Sequence, residues 1–144
     1  MKRTEKAEVL KSLEDICFKE PWSLGMLVSS FEDEHSVIIT HDTEGEIVGY
    51  VIGRCMADEC ELYRICVLPE FRKQGIGTLL IREFIEKCKN LFVKKIFLEV
   101  ASRNLKAISL YESCGFKRTA MRKGYYRDDD AVVYSLKMLE EGIK

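Results

Sequence analysis

The sequence has little of what would assign a chain to a membrane, to the secretory pathway or to nucleic acid. It contains no run of about eighteen apolar residues and no signal-peptide pattern after Met1, so we expect a soluble, cytoplasmic protein. Its 23 basic and 24 acidic residues nearly balance, which argues against nucleic acid or an anionic membrane as the main partner. The 144 residues fit one domain, spanning 1–144, and we expect a monomer.

Metal-ligand patterns are also scarce. The two histidines, His35 and His41, have no cysteine at ligand spacing, so the sequence predicts no metal site. The six cysteines, at positions 17, 55, 60, 66, 88 and 114, form no Cys-x-x-Cys pair, and four lie inside apolar periodic segments. This distribution favours buried, reduced thiols over a disulfide framework.

Two of the nine glycines lie in a short basic loop between an apolar strand, which Pro69 ends, and a helical pattern that begins near Thr78. A strand, a glycine loop and a helix start can direct several backbone N–H groups at one anion. Gly75 and Gly77 would let the backbone approach a phosphate, and Arg72 and Lys73 add positive charge.

The alternative for this loop is an ordinary strand–helix turn whose glycines serve only the turn. The segment lacks the third glycine of the dinucleotide fingerprint, and no Lys-Ser/Thr pair follows it as in a P-loop. From these residues alone both interpretations stay open.

The remaining pattern predicts two helices, antiparallel strands, a strand–helix–strand unit and a final hairpin. This order indicates an α/β fold, with a mixed sheet that carries helices on both faces. Thr4 and Ser23 are predicted to cap the first two helices, while Asn104 caps a later helix that Gly115 ends. The last two strands are predicted as 116–121 and 131–139.

One central strand, 60–67, alternates along its length. Simple alternation predicts that one set of its side chains shares a face of the sheet. These residues are Cys60, Leu62, Arg64 and Cys66.

Several polar and aromatic residues are candidates for chemistry, and each has a plainer explanation. Glu99 stands in an otherwise apolar strand, where it is either functional or solvated at the strand end. Tyr111 has helical spacing typical of a core tyrosine. Trp22, the only tryptophan, lies in a loop as a core lid or a cleft wall, and Tyr125 and Tyr126 could be ordinary strand-end aromatics.

Four segments together resemble the GNAT superfamily of N-acetyltransferases, and within it the branch that acetylates protein N-termini, the bacterial ribosomal-protein alanine (RimI) type. They are Arg72-x-x-Gly75-x-Gly77, the stretch LEVASRNLKAISLYESCGF (98–116), Tyr125-Tyr126 and Pro21-Trp22-Ser23. The resemblance covers nearly the whole chain. It implies the GNAT fold and acetyl transfer from acetyl-CoA, without a metal, to the N-terminal segment of an acceptor protein, such as the N-terminal alanine of a small-subunit ribosomal protein.

The resemblance also implies roles for individual residues. Glu99 would accept the proton of the amine and Tyr111 would protonate the CoA sulfur. Asn104 would contact the pantetheine chain. Backbone N–H groups at the end of the third strand would polarise the thioester carbonyl, and the loop would hold the pyrophosphate. The residues implied for acetyl-CoA in these two segments are Ile65, Cys66, Val67, Arg72, Lys73, Gln74, Gly75, Ile76, Gly77 and Thr78. Those implied for the acceptor peptide are Pro21, Trp22, Tyr125 and Tyr126.

Two departures from the family pattern lie on the acceptor side. Arg64 stands where relatives carry a small polar residue, and the loop after Tyr126 is shorter than in bacterial relatives. Two other functions compete: a small-amine or lysine acetyltransferase of the same fold, and a non-catalytic acyl-CoA-binding regulator. The Tyr125-Tyr126 pair and the Pro21-Trp22 loop argue against the first, and the presence of both Glu99 and Tyr111 argues against the second.

Overall fold

The computed structural model describes residues 1–126 and 129–138, in which four α-helices and six strands follow one another. No helix in these two ranges is both long and apolar enough to cross a membrane. The elements are α1 (Arg3–Cys17), α2 (Leu24–Glu32), β1 (Ser36–Thr43), β2 (Glu46–Met56), β3 (Glu59–Val67), a 3₁₀ turn (Pro69–Phe71), α3 (Ile76–Asn90), β4 (Lys95–Ala101), α4 (Leu105–Ser113), β5 (Lys117–Tyr126) and β6 (Asp129–Lys137).

The six strands form one sheet in the order β1-β2-β3-β4-β6-β5. All neighbouring pairs are antiparallel except β3 and β4, which run parallel. These two strands pair only at their beginnings, where Glu59 to Glu61 lie beside Lys95 to Phe97. An opening therefore separates the later halves of β3 and β4, and the predicted mixed sheet is confirmed with this gap at its centre.

Helices cover both faces of the sheet, as predicted. The first core cluster lies under α3 and α4 and contains Leu80, Phe84 and Ile96, all 0% exposed. The second lies under α1 and α2 and is formed around Leu10, Leu27 and Tyr50. The sheet is thus buried on both sides, and burial of these apolar surfaces is the main driving force for the fold.

Three of the four predicted helix signals are confirmed. The Ser23 hydroxyl accepts from Met26 N–H at 3.1 Å, and the Asn104 side chain accepts from Ala107 N–H at 3.3 Å. Gly115 follows α4 with a left-handed φ of 97°, as a C-terminal glycine does. The prediction for Thr4 is wrong, because α1 begins at Arg3. The N-cap residue is Lys2, whose side chain makes no capping hydrogen bond.

The final hairpin is longer than the sequence pattern suggests. β5 continues past Met121 to Tyr126, and β6 begins at Asp129 rather than at Ala131. The charged residues at positions 122, 123, 129 and 130 concealed this extension, because they interrupt the apolar alternation on which the prediction depended. The predicted end of the last strand at Leu139 lies outside the described residues.

The prediction that Cys60, Leu62, Arg64 and Cys66 share one face is wrong. β3 contains a bulge: Ile52 pairs with Arg64 but the next residue of β2, Gly53, pairs with Leu62, which leaves Tyr63 as an extra residue. A bulge reverses the alternation beyond it. Cys60 and Leu62 therefore join the cluster under α3, and Cys66 joins the cluster under α1.

Gly53 lies at a close contact between the sheet and α3. A Cβ added there would stand 2.4 Å from Cζ of Phe84 and 2.6 Å from the carbonyl oxygen of Glu61. We expect Gly53→Ala to lower the free energy of unfolding by about 1–3 kcal/mol through overpacking, as measured by urea unfolding.

Gly25 supplies the matched control for this substitution. In α2 its added Cβ would come no closer than 3.8 Å to Ser23 Oγ. Gly25→Ala should therefore leave stability unchanged or raise it by up to about 1 kcal/mol. If Gly53→Ala and Gly25→Ala lost the same amount of stability, the contact with Phe84 would not be the cause of the loss.

Candidate active site

The loop before α3 has the backbone shape of an anion site. Lys73 and Gly75 both adopt left-handed conformations, with φ of 64° and 82°. Gly75 is the N-cap of α3 without a side-chain cap, and the first N–H to bond within the helix is that of Leu79, to the Gly75 carbonyl at 3.1 Å. The N–H groups of residues 76–78 have no carbonyl partner within the helix, so they are available to an anion, which the helix dipole also favours.

The side chains of this loop divide into two kinds. Arg72, Lys73 and Gln74 are exposed, whereas Ile76 is buried in the core under α3. Arg72 donates through Nε to the Val67 carbonyl at 2.8 Å, which fixes the start of the loop to the end of β3.

The two glycines of the loop serve different purposes. A Cβ on Gly75 would meet nothing within 4 Å, so this residue faces open space. A Cβ on Gly77 would stand 3.3 Å from the Leu110 side chain, so Gly77 allows α3 to pack closely on α4. The sequence could not distinguish these roles, because the second depends on where α4 lies.

At the end of β3, backbone groups point toward the opening in the sheet. Leu68 N–H donates to the Val48 carbonyl of β2 at 2.9 Å. Because hydrogen bonding alternates along an antiparallel pair, Cys66 also directs its N–H to β2, while Ile65 and Val67 direct theirs toward the opening. The Cys66 side chain turns toward α1, with Sγ 3.9 Å from the Leu13 carbonyl oxygen.

Glu99 projects from β4 onto the face covered by α1 and α2. Its neighbours Leu98 and Val100 are buried under α3 and α4, so alternation turns Glu99 the other way, and its side chain is 23% exposed. Its Oε1 lies 3.3 Å from Nη1 of Arg122 on β5.

A second carboxyl group accompanies Glu99. Burial, and then the negative charge of Glu99, raises the pKa of Glu61 on β3, while the charge of Arg122 opposes this shift. Sequence reasoning missed Glu61 and Arg122. The signal for Glu61 is the one that identified Glu99, a carboxylate in an apolar strand.

Tyr111 lies on the opposite side of the sheet. Tyr111 is 6% exposed and belongs to the cluster under α3 and α4. Its ring packs on Phe116, with the ring centroids 5.9 Å apart. Burial raises the pKa of Tyr111 to about 12. Tyr111 and Glu99 therefore lie on opposite faces, and the opening between β3 and β4 is the passage between those faces. Asn104 stands exposed at the start of the same helix as Tyr111, with its side chain serving as the cap.

The loop between α1 and α2 forms one wall of a groove of about 690 Å³. Pro21 is exposed and Trp22 is half-buried, with its ring edge-on to Tyr63 at a centroid distance of 6.1 Å. Trp22 thus contributes to both the core lid and the cleft wall. The groove is lined by Trp22, Ser23, Gly25, Met26, Ser29, Ser30 and Tyr63.

The tyrosine pair near the end of β5 is only partly described. Tyr125 is 54% exposed, with the Arg122 guanidinium carbon 5.3 Å from its ring centroid. Arg122 therefore connects Tyr125 to Glu99. Tyr126 pairs with Asp129 through its backbone, whereas its side chain and the short loop at 127–128 lie outside the described residues.

A buried carboxylate that sequence reasoning missed holds the α1–α2 loop. Glu14 is 0% exposed, and it accepts from the Trp22 backbone N–H at 2.7 Å and from the Tyr50 hydroxyl. Burial, and then this bond to Glu14, raises the pKa of Tyr50 above its usual value. Glu14 lies at helical spacing from Leu10 and Cys17, on the apolar face of α1. A carboxylate at such a position was the signal in the sequence that Glu14 is buried.

Arg64 neutralises Glu14 and also contacts the loop directly. Its Nη2 lies 2.9 Å from Glu14 Oε1 and donates to the Glu20 carbonyl at 2.9 Å. Its guanidinium stacks 3.8 Å above the Phe18 ring and 5.3 Å from that of Trp22. The arginine that departs from the family pattern therefore helps to join β3 to the loop at 18–22.

Comparison with known proteins agrees with this geometry. The acetyltransferase (GNAT) family model matches residues 7–116. The ribosomal protein bS18-alanine N-acetyltransferase of Escherichia coli is 31% identical over 120 residues, which are 81% of this chain and 80% of that protein. The N-alpha-acetyltransferase RimI of Mycobacterium tuberculosis is 31% identical over 122 residues, covering 82% and 75%.

A solved structure is similar over almost the whole chain. The crystal structure of the ribosomal-protein-S18-alanine N-acetyltransferase from Escherichia coli has a TM-score of 0.87 at 28% identity, and the match covers 98% of this chain and 94% of that one. The region matched by the family model contains the opening between β3 and β4, the loop before α3, Glu99 and Tyr111. This chain belongs to the acetyltransferase (GNAT) family.

Proposed function

We propose that this enzyme transfers an acetyl group from acetyl-CoA to the N-terminal α-amine of a protein, and that its acceptor is the N-terminal alanine of a small-subunit ribosomal protein. One observation carries the proposal: the glycine loop before α3 and Tyr111 lie on one side of an opening in the sheet, and Glu99 lies on the other. A thioester approaching from the first side would meet an amine approaching from the second. The names of the relatives support the ribosomal acceptor.

The donor side fits the CoA moiety. Acetyl-CoA would supply the acetyl group as a thioester. The N–H groups of residues 76–78, aided by Arg72 and Lys73, would bind its diphosphate, because helix N-termini and left-handed backbone turns favour anions. The N–H groups of Ile65 and Val67 would polarise the thioester carbonyl without reorganisation, since the strand already holds them in place.

An N-terminal amine is an easy acceptor for this site. An α-amino group has a reference pKa of about 8, so about a tenth of it is neutral at pH 7. A lysine side chain, with a pKa of about 10.4, is neutral in only about one molecule in 2,500. A weak base is therefore sufficient, and Glu99, acting directly or through a water molecule, would remove the proton from the α-amine.

The CoA thiolate can leave without being fully protonated by Tyr111. A free thiol has a pKa of about 8.5, while burial raises that of Tyr111 to about 12. Complete proton transfer from this tyrosine to the thiolate would be unfavourable by roughly a thousandfold or more. We therefore assign Tyr111 to a hydrogen bond that stabilises the sulfur as the C–S bond breaks.

The direct test is acetyl transfer to a panel of peptides that differ only in their first residues. An alanine-starting peptide with the sequence of the ribosomal protein should be acetylated at its α-amine with the highest kcat/KM, located by mass spectrometry. Polyamines and peptides blocked at the N-terminus but carrying an internal lysine are the controls. Preference for either control would replace the proposal with the small-amine or lysine enzyme.

Gly75 and Gly45 form a matched pair for testing the phosphate loop. Both have left-handed φ values, 82° and 83°, and at both an added Cβ meets nothing within 4 Å. Each Ala substitution should cost about 1–2 kcal/mol of stability because of that backbone conformation. Only Gly75→Ala should weaken acetyl-CoA binding, by at least tenfold in calorimetry, because its Cβ occupies the space of the diphosphate. Equal affinities in the two variants would remove the loop from the cofactor site.

Glu99→Gln tests the proposed base. The variant keeps the shape of the side chain but accepts no proton, so kcat/KM on the alanine peptide should fall about 10²–10⁴-fold at pH 7. The deficit should shrink toward pH 9, where most of the α-amine is neutral without help. On a lysine acceptor it should shrink much less, because that amine is still mostly protonated. A deficit that is constant from pH 7 to pH 9 on the alanine peptide would exclude Glu99 as the base.

Arg64→Lys tests whether the α1–α2 loop serves the acceptor. Lysine keeps the charge beside Glu14 but loses the forked bonds to Glu14 and Glu20 and the stacking on Phe18. We expect KM for the peptide to rise about five- to tenfold, while kcat and acetyl-CoA affinity stay within about twofold.

The chain offers a second arginine–carboxylate pair as the control for this substitution. Arg54 Nε lies 2.6 Å from Asp33 Oδ2, at the C-terminal end of α2 rather than in the loop at 18–22. Arg54→Lys should leave the KM of the peptide unchanged. A rise in KM that is the same in both variants would assign the effect to general loosening of the fold.

A further inference from the structure

Three cysteines that are far apart in sequence converge in the core. Cys55 on β2 is the cross-strand partner of Cys60 on β3, and Cys88 reaches them from α3. Their three Sγ atoms all lie within 4.8 Å of one another. Cys60 and Cys88 are fully buried and Cys55 is half-buried, so the cluster has one member close to the surface. Its spacing carries no motif, which is why the sequence predicted no site here.

The surroundings of this trithiol cluster are apolar. It belongs to the core cluster that contains Leu62, Phe84 and Ile96. Among the described residues, the buried polar or charged side chains are Glu14 and Ser135, and neither belongs to that cluster. Within the described ranges no fourth cysteine, histidine or carboxylate joins the group. Any ligand would therefore have three sulfur donors and no buried counter-charge within the core cluster.

These two constraints select the chemistry of the ligand. Sulfurs bound to one centre through bonds of about 2.3 Å lie about 3.5–4 Å apart, so closing the cluster needs each sulfur to move by less than about 1 Å. Zinc prefers a fourth ligand, and three thiolates around a divalent or monovalent ion leave a net negative charge in an apolar core, which is costly. A trivalent centre with three thiolates is neutral and needs no fourth donor.

We propose that Cys55, Cys60 and Cys88 form a binding site for a trivalent thiophilic metalloid, of which arsenite is the probe. Arsenous acid, As(OH)₃, would exchange its three hydroxyl groups for the three thiols. Each S–H bond and each As–O bond breaks, each As–S bond forms, and each hydroxyl leaves as water with the thiol proton. The oxidation state of arsenic stays +3, so no oxidant or reductant takes part. Entry proceeds through Cys55, the half-buried member.

Binding would join three elements covalently. β2, β3 and α3 meet at the cluster, so the arsenic-bound chain should resist thermal unfolding more than the free chain. The cluster lies where β3 is still paired with β4, since Cys60 is the partner of Ile96. It is therefore separate from the opening that holds the proposed active site.

The chain contains a matched two-thiol control. Cys17 and Cys66 both lie on the α1 side of the sheet, and burial, followed by interaction with the Cys17 thiol, raises the pKa of Cys66. The experiment titrates the reduced full-length chain with arsenite and measures stoichiometry by native mass spectrometry and affinity by calorimetry. Wild type and Cys17→Ser should each bind one arsenic, shown by the mass of arsenic less three protons, with the same affinity. Cys55→Ser should bind at least tenfold more weakly.

A second measurement requires no substitution. Arsenite should protect Cys55 from alkylation by a maleimide while leaving Cys114, which is also half-buried, as reactive as before. Loss of arsenic binding in Cys17→Ser with retention in Cys55→Ser would move the site to the Cys17–Cys66 pair and overturn the proposal. So would a mass gain that corresponds to loss of two protons, or unchanged alkylation of Cys55.

Discussion

The structure depends on two neighbouring parallel strands that pair at one end and separate at the other. The ladder between β3 and β4 stops after Glu61 and Phe97, so the later half of β3 keeps its β2 partner and directs the N–H groups of Ile65 and Val67 into the opening. Unpaired backbone groups inside a sheet are costly when they are dry. A cofactor whose carbonyl accepts from them would remove that cost, and this is why we propose the opening as a binding site.

Holding the opening requires rigid elements on both of its sides. On one side, α3 is anchored by the contact between Gly53 and the Phe84 ring, and its first turn lies against α4 because Gly77 has no side chain. On the other side, the buried Glu14 carboxylate fixes the Trp22 backbone and pairs with Arg64. A buried ion pair adds little net stability compared with an apolar replacement. Its value here is geometric, because one guanidinium contacts α1, β3 and the loop at 18–22 together.

Sequence reasoning reached the parts of the molecule that local signals determine. The helix caps at Ser23 and Asn104, the glycine loop before α3 and the order of the elements follow from short-range chemistry. It failed where a distant contact decides. The bulge at Tyr63 reverses which side chains of β3 point to each face of the sheet, and no neighbouring residue in the sequence indicates this change. Arg64 looked like a departure on the acceptor side, and its reason emerged only when the fold placed it on Glu14, fifty positions earlier.

The paired end of β3 explains why the open end can stay open. At Cys60 the strand is fixed by β2, by β4 and by the side chains of α3, all within one apolar cluster. α3 spans the distance from this anchored end, near Cys88, to the glycine loop at Gly75. A helix is stiff over such a length, so anchoring its C-terminal half also positions its first turn. The dense core around the three thiols is thus a structural condition for the loop at the other end of α3.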